Sequence, residues 1–315
     1  MMRIGIIVDA ACDLPEGYEA DNGIVILPTS VRIKDRVIND QHNALITQSF
    51  LDSDIIKSAG EAQTDSYTVE QIRELFLTRM VVEYDHVFCL TIASTRSQIY
   101  ERAVQASFSI LNDYHQIRTA AGYNTPFAMR VMDTRNLFSG QTISALEASR
   151  MRAAGESPQA LRTRVERIIA HTHSYVISQD LHHLRNRGKA RGDRSVGLVG
   201  AVLGTALDVK PTVYCHQGNT YPVAKLRGID AAAQNLFSHV GRDVRAGLLV
   251  NTLALSFAGP LEQVHALPGY DTLKQTCADA GVELLEMVMS LTGIVNLGKG
   301  ALSIGYAREG NASLR

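Results

Sequence analysis

Short apolar runs recur along the chain and are separated by segments of helical periodicity. The first run covers residues 4–8, and the others cover residues 24–27, 87–93, 128–132, 175–178, 212–215 and 248–251. Continuous apolar runs of this length are typical of strands that are covered on both faces, as in parallel sheets. The alternation of such strands with helices predicts an α/β fold.

The helical segments have recognisable starts and apolar faces. Thr68 and Gln71 fit a capping box, and Ser157 precedes a proline at the first helical position, Pro158. One apolar stripe is predicted at Tyr100, Ala103, Val104, Phe108 and Leu111, and another at Leu161, Val165, Ile168 and Ile169. Each stripe is expected to face the core.

A polar stretch at residues 151–158 contains several turn-forming residues. Because 315 residues exceed the length of one average domain, the chain is expected to contain two domains. We predict an N-terminal α/β domain at residues 1–156 and a C-terminal α/β domain at residues 157–315.

Composition and charge narrow the function classes. The 45% hydrophobic and 20% charged residues are typical of a globular protein. With 31 basic and 32 acidic residues, no nucleic acid partner is expected. No apolar run is long enough for a transmembrane segment or a signal peptide, so we expect a cytoplasmic protein, which leaves transient membrane contact open. The four isolated cysteines are expected to be buried thiols.

Several enzyme motifs are incomplete. Residues 293–299 match the first seven positions of a phosphate-binding loop, but Gly300 stands where Ser or Thr would bind magnesium. Ser94 has neither the sequence of a nucleophile elbow nor an identifiable histidine relay. The histidine pairs at 171–173 and 182–183 have no evident third metal ligand. We therefore expect no catalytic residues, no metal and no cofactor.

An ordered set of motifs resembles the DegV family. Residues 8–15 (Val-Asp-Ala-Ala-Cys-Asp-Leu-Pro) are similar to the family's opening strand and its Asp-Leu-Pro turn. Residues 27–33, with Asp40 downstream, resemble a family hairpin. Residues 62–66 lie where the family has a Thr-Ser-Gln-Pro-Ser loop, and residues 91–100 resemble its Ser-Ser-x-Leu-Ser-Gly-Thr-Tyr segment.

The resemblance continues through the second half of the chain. Residues 131–134, followed by Gly140, resemble a Val-Ile-Asp-Ser strand end. Residues 206–211 resemble a Leu-x-Ile-Lys-Pro signature, and residues 298–304 resemble the closing Gly-Pro-Gly-Ala-Leu-Gly-Ile. The resemblance implies two α/β domains with a long-chain fatty acid in a tunnel between them. It also implies a non-catalytic subunit that presents the fatty-acid carboxylate to a separate fatty acid kinase subunit.

The predicted carboxylate contacts are Thr64, Ser94, Ser97 and Asn296. Thr64 and Ser94 match hydroxyls that contact the carboxylate in the family, and Asn296 stands where the family usually has a histidine. Hydroxyls at the carboxyl ends of strands are suitable donors for such a group. In the alternative interpretation, Ser94 or Ser97 only caps a helix and Thr64 makes a turn.

The predicted phosphate- or partner-facing residues are Asp40, Arg187, Lys189, Arg191, Arg227 and Lys299. Lys189 aligns with a family arginine that helps to handle the head group or phosphate, and Arg227 matches a second basic residue of the family. Lys299 replaces the usual proline, so it supplies a cation near Asn296.

Two other functions stay open on the sequence alone. One is a hydrolase that acts on a lipid or small acid through Ser94, which requires a base within hydrogen-bond reach of the hydroxyl. The other is a regulatory module that responds to lipid.

Overall fold

The computed structural model describes residues 2–53, 62–179, 183, 208–310 and 314. The predicted cations Arg187, Lys189 and Arg191 lie outside the described residues.

The first sheet has four parallel strands in the order β2-β1-β6-β7. They are β1 (Ile4–Asp9), β2 (Ile24–Leu27), β6 (His86–Thr91) and β7 (Ala128–Asp133). Every residue of β1 is buried, which explains its continuous apolar sequence. Because β2 and β6 lie on opposite sides of β1, the strand order reverses there. Open α/β sheets bind their ligands beyond the strand ends at such a reversal.

The described residues form two further sheets. The second has the order β10-β9-β8-β13-β11-β12, and only its β11–β12 pair is parallel. Its strands are β8 (Thr172–Ile177), β9 (Val209–His216), β10 (Asn219–Arg227), β11 (Thr252–Phe257), β12 (Glu283–Val288) and β13 (Leu302–Ala307). The third is an antiparallel sheet in the order β4-β3-β5, made of β3 (Thr29–Ile33), β4 (Arg36–Asp40) and β5 (Gln63–Ser66).

Helices alternate with these strands, which confirms the predicted α/β class. They are α1 (Tyr18–Asp21), α2 (Ala44–Asp52), α3 (Val69–Leu75), α4 (Val81–Glu83), α5 (Ile99–Ser109), α6 (Tyr114–Ala120), α7 (Ser139–Ala153), α8 (Pro158–His171), α9 (Ile229–Ala246), α10 (Glu262–His265), α11 (Tyr270–Asp279) and α12 (Leu291–Leu297). A π-helical turn at Phe76–Met80 joins α3 to α4. No helix among the described residues is both long and apolar enough to cross a membrane.

The predicted helix starts are confirmed. Thr68 Oγ1 accepts a hydrogen bond from the Gln71 amide at 3.3 Å, and Gln71 Oε1 accepts one from the Thr68 amide at 3.0 Å. Ser157 Oγ accepts from the Ala160 amide at 3.2 Å, and α8 begins at Pro158. The stripe predicted along α8 is also buried.

Two predicted elements are wrong in detail. Helix α5 buries Ile99, Ala103 and Ala106, whereas Phe108 is 68% exposed and Leu111 is 57% exposed. Small alanines face inward because α5 packs closely against both α3 and β7. Residues 248–251 precede a strand rather than forming one, since β11 begins at Thr252.

Helix α7 lies between the first and second sheets and is buried on both sides. A Cβ atom at Gly305 on β13 would lie 2.4 Å from the Ser139 carbonyl oxygen, so only glycine permits this approach. Nearby, the hydroxyls of Ser139 and Ser303 hydrogen-bond at 2.6 Å. Helix α8 also contributes to both halves, because Leu161 packs with the first sheet and Ile168 packs with Ala254 of β11. The boundary between residues 156 and 157 stays a prediction.

Candidate functional site at the strand ends of the first sheet

The loops after β6 and β7 meet at the carboxyl edge of the first sheet. Backbone bonds fix this meeting, because the Thr134 amide donates to the Thr91 carbonyl and the Ala93 amide donates to the Asn136 carbonyl, each at 3.0 Å. Ser94 follows directly in the first loop and is half-buried. Ser94 therefore lies at the carboxyl edge of the sheet, one strand away from the reversal at β1, and ligands of open α/β sheets bind along this edge.

Ser94 forms a hydrogen bond that the sequence did not indicate. Its hydroxyl donates to Oδ2 of Asp133, the last residue of β7, at 2.6 Å. Oδ1 of Asp133 accepts from the Arg135 amide at 2.7 Å. Ser94 does not cap α5, because that helix begins at Ile99, so the capping interpretation of Ser94 is wrong.

Ser97 has a different local role. Its Oγ accepts from the Ile99 amide at 3.2 Å, at the start of α5. The alternative interpretation as a helix-start residue therefore describes Ser97 well. Its hydroxyl proton is not used in this bond, so Ser97 can still donate to a ligand.

The turn between β9 and β10 contacts the Ser94 loop from the second half of the chain. Thr95 Oγ1 donates to the Gly218 carbonyl at 2.6 Å, and the Gly218 amide donates to the Arg135 carbonyl at 2.7 Å. The half-buried Arg96 donates from Nη2 to Thr220 Oγ1. Both turn residues have positive φ, 49° at Gln217 and 79° at Gly218, as a two-residue hairpin turn requires. The Ser94 loop is thus held by both halves.

Thr64 lies on β5, opposite Val31 of β3, and is half-buried. Strand alternation places Thr64 on the same face as the buried Ala62. The end of β5 is joined to α5 because Arg102 Nη1 donates to the Ser66 carbonyl at 2.7 Å. The structure therefore brings Thr64 toward the start of α5, where Ser97 lies.

Helix α12 contacts the third sheet through β4, at the opposite edge from β5. Thr29 pairs with both Asp40 and Ser66, so these two lie across one central strand, about 10 Å apart. Oδ2 of Asp40 accepts from the Thr292 amide at 2.6 Å, in the first turn of α12. The buried Thr292 hydroxyl has no hydrogen-bond partner among the described residues.

Asp40 is only 2% exposed, which corrects its predicted partner-facing role. Its second oxygen, Oδ1, accepts from the His42 amide at 3.2 Å. The carboxylate is therefore occupied by backbone donors on β4's own loop and on α12. Asp40 fixes α12 against the third sheet instead of meeting a partner.

Asn296 and Lys299 lie at the end of α12. Asn296 Nδ2 donates to the Thr292 carbonyl within the helix at 2.7 Å. Lys299 Nζ donates to the Leu51 carbonyl, in the last turn of α2, at 3.0 Å. Lys299 therefore places its charge at a helix C-terminus, where cations are stabilised.

The remaining predicted cation and histidines lie elsewhere. Arg227 is exposed at the end of β10. His183 bonds the Val295 carbonyl at 2.8 Å, and buried His173 contacts the Tyr214 hydroxyl at 2.6 Å. Within the described part of the chain, no group of three or more His, Cys, Asp or Glu side chains could hold a metal ion.

Sequence reasoning missed two buried acids beside the site. Asp9 accepts from the Ala11 amide at 2.9 Å and the Ile92 amide at 2.5 Å, and burial raises its pKa to about 6. Asp13 accepts from Ser256 Oγ at 2.5 Å and the Ser290 amide at 2.9 Å, which joins the β1 loop to the second half. Burial raises the pKa of Asp13 as well. Both residues lie in segment 8–15, which resembles the opening of the DegV family, and this position is the feature of the sequence that could have indicated them.

The four predicted carboxylate contacts are sequence neighbours of residues in one apolar cluster. This cluster includes Ala62, Ala93, Ile99, Val295 and Leu297, each within two residues of Thr64, Ser94, Ser97 or Asn296. The cluster extends from the first sheet to residues of the second half. The arrangement combines polar groups at its border with a continuous apolar interior.

Comparisons with known proteins agree with this architecture. The family model described as "Uncharacterised protein, DegV family" matches residues 3–309. A DegV domain-containing protein of Xanthomonas axonopodis is 52% identical over 311 residues, which cover 99% of each chain.

Solved structures share the fold at low sequence identity. A stearic acid-binding protein from Eubacterium ventriosum is similar with a TM-score of 0.77 and 19% identity, covering 98% of this chain and 99% of the other. The Streptococcus pneumoniae fatty acid kinase B3 protein loaded with linoleic acid is similar with a TM-score of 0.74 and 16% identity, covering 97% and 99%. The family match and the Xanthomonas relative together establish that this chain belongs to the DegV family.

Proposed function

We propose that this protein binds one long-chain fatty acid, with its tail in the apolar cluster and its carboxyl group at Ser94. The observation that carries the proposal is that Thr64, Ser94, Ser97 and Asn296 each lie within two residues of a member of a single apolar cluster. Burial of an acyl chain contributes about 0.8 kcal/mol per methylene, so an apolar interior supplies most of the affinity. The polar border then fixes which end of the ligand faces outward.

Fatty-acid binding by structural relatives supports the same function. The Eubacterium ventriosum and Streptococcus pneumoniae proteins are named for bound stearic and linoleic acid. Their chains align with almost all of this one, which means that the comparison includes both the first sheet and α12.

Ligand extraction tests the proposal directly. The protein purified from cells, denatured and extracted, is expected to release about one fatty acid per chain, measured by mass spectrometry. Failure to release any fatty acid, together with failure to bind added oleic acid, would contradict the proposed function.

Ser94→Ala tests the position of the head group. Loss of one hydrogen-bonding hydroxyl should weaken oleic acid binding about tenfold, as measured by calorimetry. The matched control is Ser109→Ala, because Ser109 lies on α5 and its hydroxyl donates only to the Ala106 carbonyl at 2.8 Å. Equal affinities for the two variants would remove Ser94 from the head-group site.

The proposed role is non-catalytic presentation of the carboxyl group to a separate acyl kinase. Arg227 supports a surface for this partner or its phosphate, because its side chain is exposed at the end of β10. Lys299 is a weaker candidate because its ammonium group already contacts Leu51. With a kinase that phosphorylates fatty acids, Arg227→Ala should reduce acyl phosphate trapped by hydroxylamine without reducing fatty-acid affinity.

A hydrolase is the second candidate because a carboxylate does lie within reach of Ser94. Asp133 could accept the Ser94 proton, but an ionised aspartate is a weak base. Among the described residues, no histidine hydrogen-bonds either side chain. Release of nitrophenol from nitrophenyl esters that is abolished in Ser94→Ala would establish the hydrolase and overturn the non-catalytic role.

A further inference from the structure

The Ser94–Asp133 pair constrains the protons at the proposed carboxyl site. Serine has one hydroxyl proton, and in this structure it is donated to Asp133 Oδ2 at 2.6 Å. Oδ1 of Asp133 is also engaged, by the Arg135 amide at 2.7 Å. Ser94 Oγ therefore offers a ligand only its lone pairs.

The backbone holds the two side chains in this arrangement. The bonds from Thr134 to Thr91 and from Ala93 to Asn136 involve the residues directly next to Asp133 and Ser94. The contacts of Thr95 and Arg135 with Gly218 add a third connection. Turning the Ser94 hydroxyl toward a ligand would break a bond to a charged acceptor, which is worth about 1.5–3 kcal/mol.

An ionised fatty-acid carboxylate has only acceptor oxygens, so it has no proton to share with Ser94 Oγ. A neutral carboxylic acid has an O–H group that can donate to Oγ. Two nearby carboxyl groups also disfavour simultaneous ionisation, and such pairs retain one proton between them.

We propose that Asp133 is a positioning residue that makes the Ser94 site bind the protonated acid, with one proton retained by the chain of fatty-acid carboxyl, Ser94 and Asp133. This inference rests on the proposed fatty-acid function. It assigns a role to Asp133 that the four predicted carboxylate contacts do not include.

The charged and titratable groups around Asp133 are few among the described residues. Cys215 on β9 interacts with both Asp133 and Arg96, and burial raises its thiol pKa to about 12, so it stays neutral. Arg96 is a cation that favours an ionised ligand, and its Nη2 donates to Thr220 on β10 rather than to Ser94. Arg135 contacts Asp133 through its backbone amide, and its side chain is exposed. None of these groups supplies the missing donor to Ser94 Oγ.

Proton retention predicts a linked pH dependence. Free carboxylic acids are ionised above about pH 6, so binding must take up one proton per acid there. The dissociation constant for oleic acid should then rise about tenfold per pH unit, from about pH 6 to about pH 9.

Calorimetry with oleic acid measures this uptake, using buffers that differ in ionisation enthalpy. In Asp133→Asn, the amide can donate to Ser94 Oγ, which frees the hydroxyl proton for an ionised carboxylate. This variant should lose the proton uptake, and its affinity should vary less than about threefold per pH unit. Asp65→Asn is the control, because Asp65 is exposed on β5 beside Thr64. The control should keep the slope of the unchanged protein.

A second variant keeps the test decisive if Asp133→Asn folds poorly. Ser94→Ala should also flatten the pH slope, and adding Asp133→Asn to it should change the slope no further. The inference would be overturned, without affecting the proposed function, if the unchanged protein binds oleic acid without taking up a proton. The same holds if both variants keep the pH slope of the unchanged protein. Absence of oleic acid binding at every pH would overturn the proposed function together with it.

Discussion

Asp9 is a buried carboxylate whose surroundings act in opposite directions. It is 2% exposed, and this burial favours the neutral form and raises its pKa to about 6. Amide donors from Ala11 and Ile92 favour the ionised form. The donors reduce the burial penalty but do not remove it, so Asp9 titrates inside the folded protein at a higher pH than in the unfolded chain.

This shift predicts a pH dependence of stability. The folded protein binds more protons than the unfolded chain between about pH 4 and about pH 6. The free energy of unfolding should therefore fall by at most about 3 kcal/mol as the pH rises through this range. Asp9→Asn should remove this contribution. Urea unfolding at several pH values measures it as a difference between the variant and the unchanged chain.

The comparison between Asp9→Asn and the unchanged chain is needed because other groups titrate in the same pH range. Burial lowers the pKa of His173 to about 4, which contributes in the opposite sense. The variant should be less stable overall, since one asparagine oxygen cannot replace both carboxylate oxygens. Parallel pH curves for the two proteins would contradict the assigned titration.

At the residue scale, the sequence predicted where polar groups lie but not which groups they contact. Ser94 was identified from its loop, whereas Asp133 is 39 residues away and meets it only through strand pairing. Asp40 was predicted to face a phosphate or a partner because residues 27–33 and Asp40 resemble a family hairpin, but its burial depends on α12, which lies 252 residues later. Such contacts depend on tertiary packing, which local patterns do not specify.

At the scale of elements, α7 leaves little room for larger side chains at its contacts with the neighbouring strands. The helix has no single apolar face. Residues 139–146 span more than two turns and are all buried between the two sheets. Ser139, Ser144 and Ser149 supply small side chains at these contacts. At these contacts the helix packs through small side chains close to the strand backbone, instead of through large apolar side chains.

Gly305→Ala tests this close approach. The new methyl group would overlap the backbone of Ser139 and Gly140, at 2.4 and 2.5 Å, so the helix must shift. We expect a loss of about 3 kcal/mol in the free energy of unfolding. Gly241→Ala, on α9, is the control, because the nearest atom to the added methyl group would be 3.8 Å away, and this variant should be neutral or stabilising. Equal stability of the two variants would contradict the packing argument.

Hydrophobic periodicity predicted an element well where its buried face consists of large apolar residues. It failed where small or polar residues are buried. Helix α8 follows its predicted stripe. Helix α5 does not, because alanines form its buried side while Phe108 remains exposed. Strand β11 was displaced in the prediction because it buries the polar residues Thr252 and Ser256, which interrupt the apolar run.

At the scale of the whole molecule, the two halves share structural parts. Asp13 joins the β1 loop to Ser256 and Ser290, and Arg150 of α7 donates to Glu283 of β12 at 2.6 Å. The apolar cluster beneath the candidate site also draws residues from both halves. Stability of one half is therefore expected to depend on the other.

This sharing predicts a single unfolding transition. The chain contains no tryptophan, so Tyr114→Trp and Tyr221→Trp can serve as separate fluorescence reporters of the first and second halves. Their urea midpoints should coincide. Two distinct midpoints would instead favour domains that fold independently at residues 1–156 and 157–315.

The burial of α7 on both sides also limits how such a chain can be rearranged. Joining either sheet to an unrelated protein would expose one side of the helix or leave a sheet face uncovered. The two sheets and α7 therefore have to be kept together, whereas the loops at the sheet edges can change without exposing the helix. Ser94 lies in one of these loops, so ligand preference can change without rebuilding the framework.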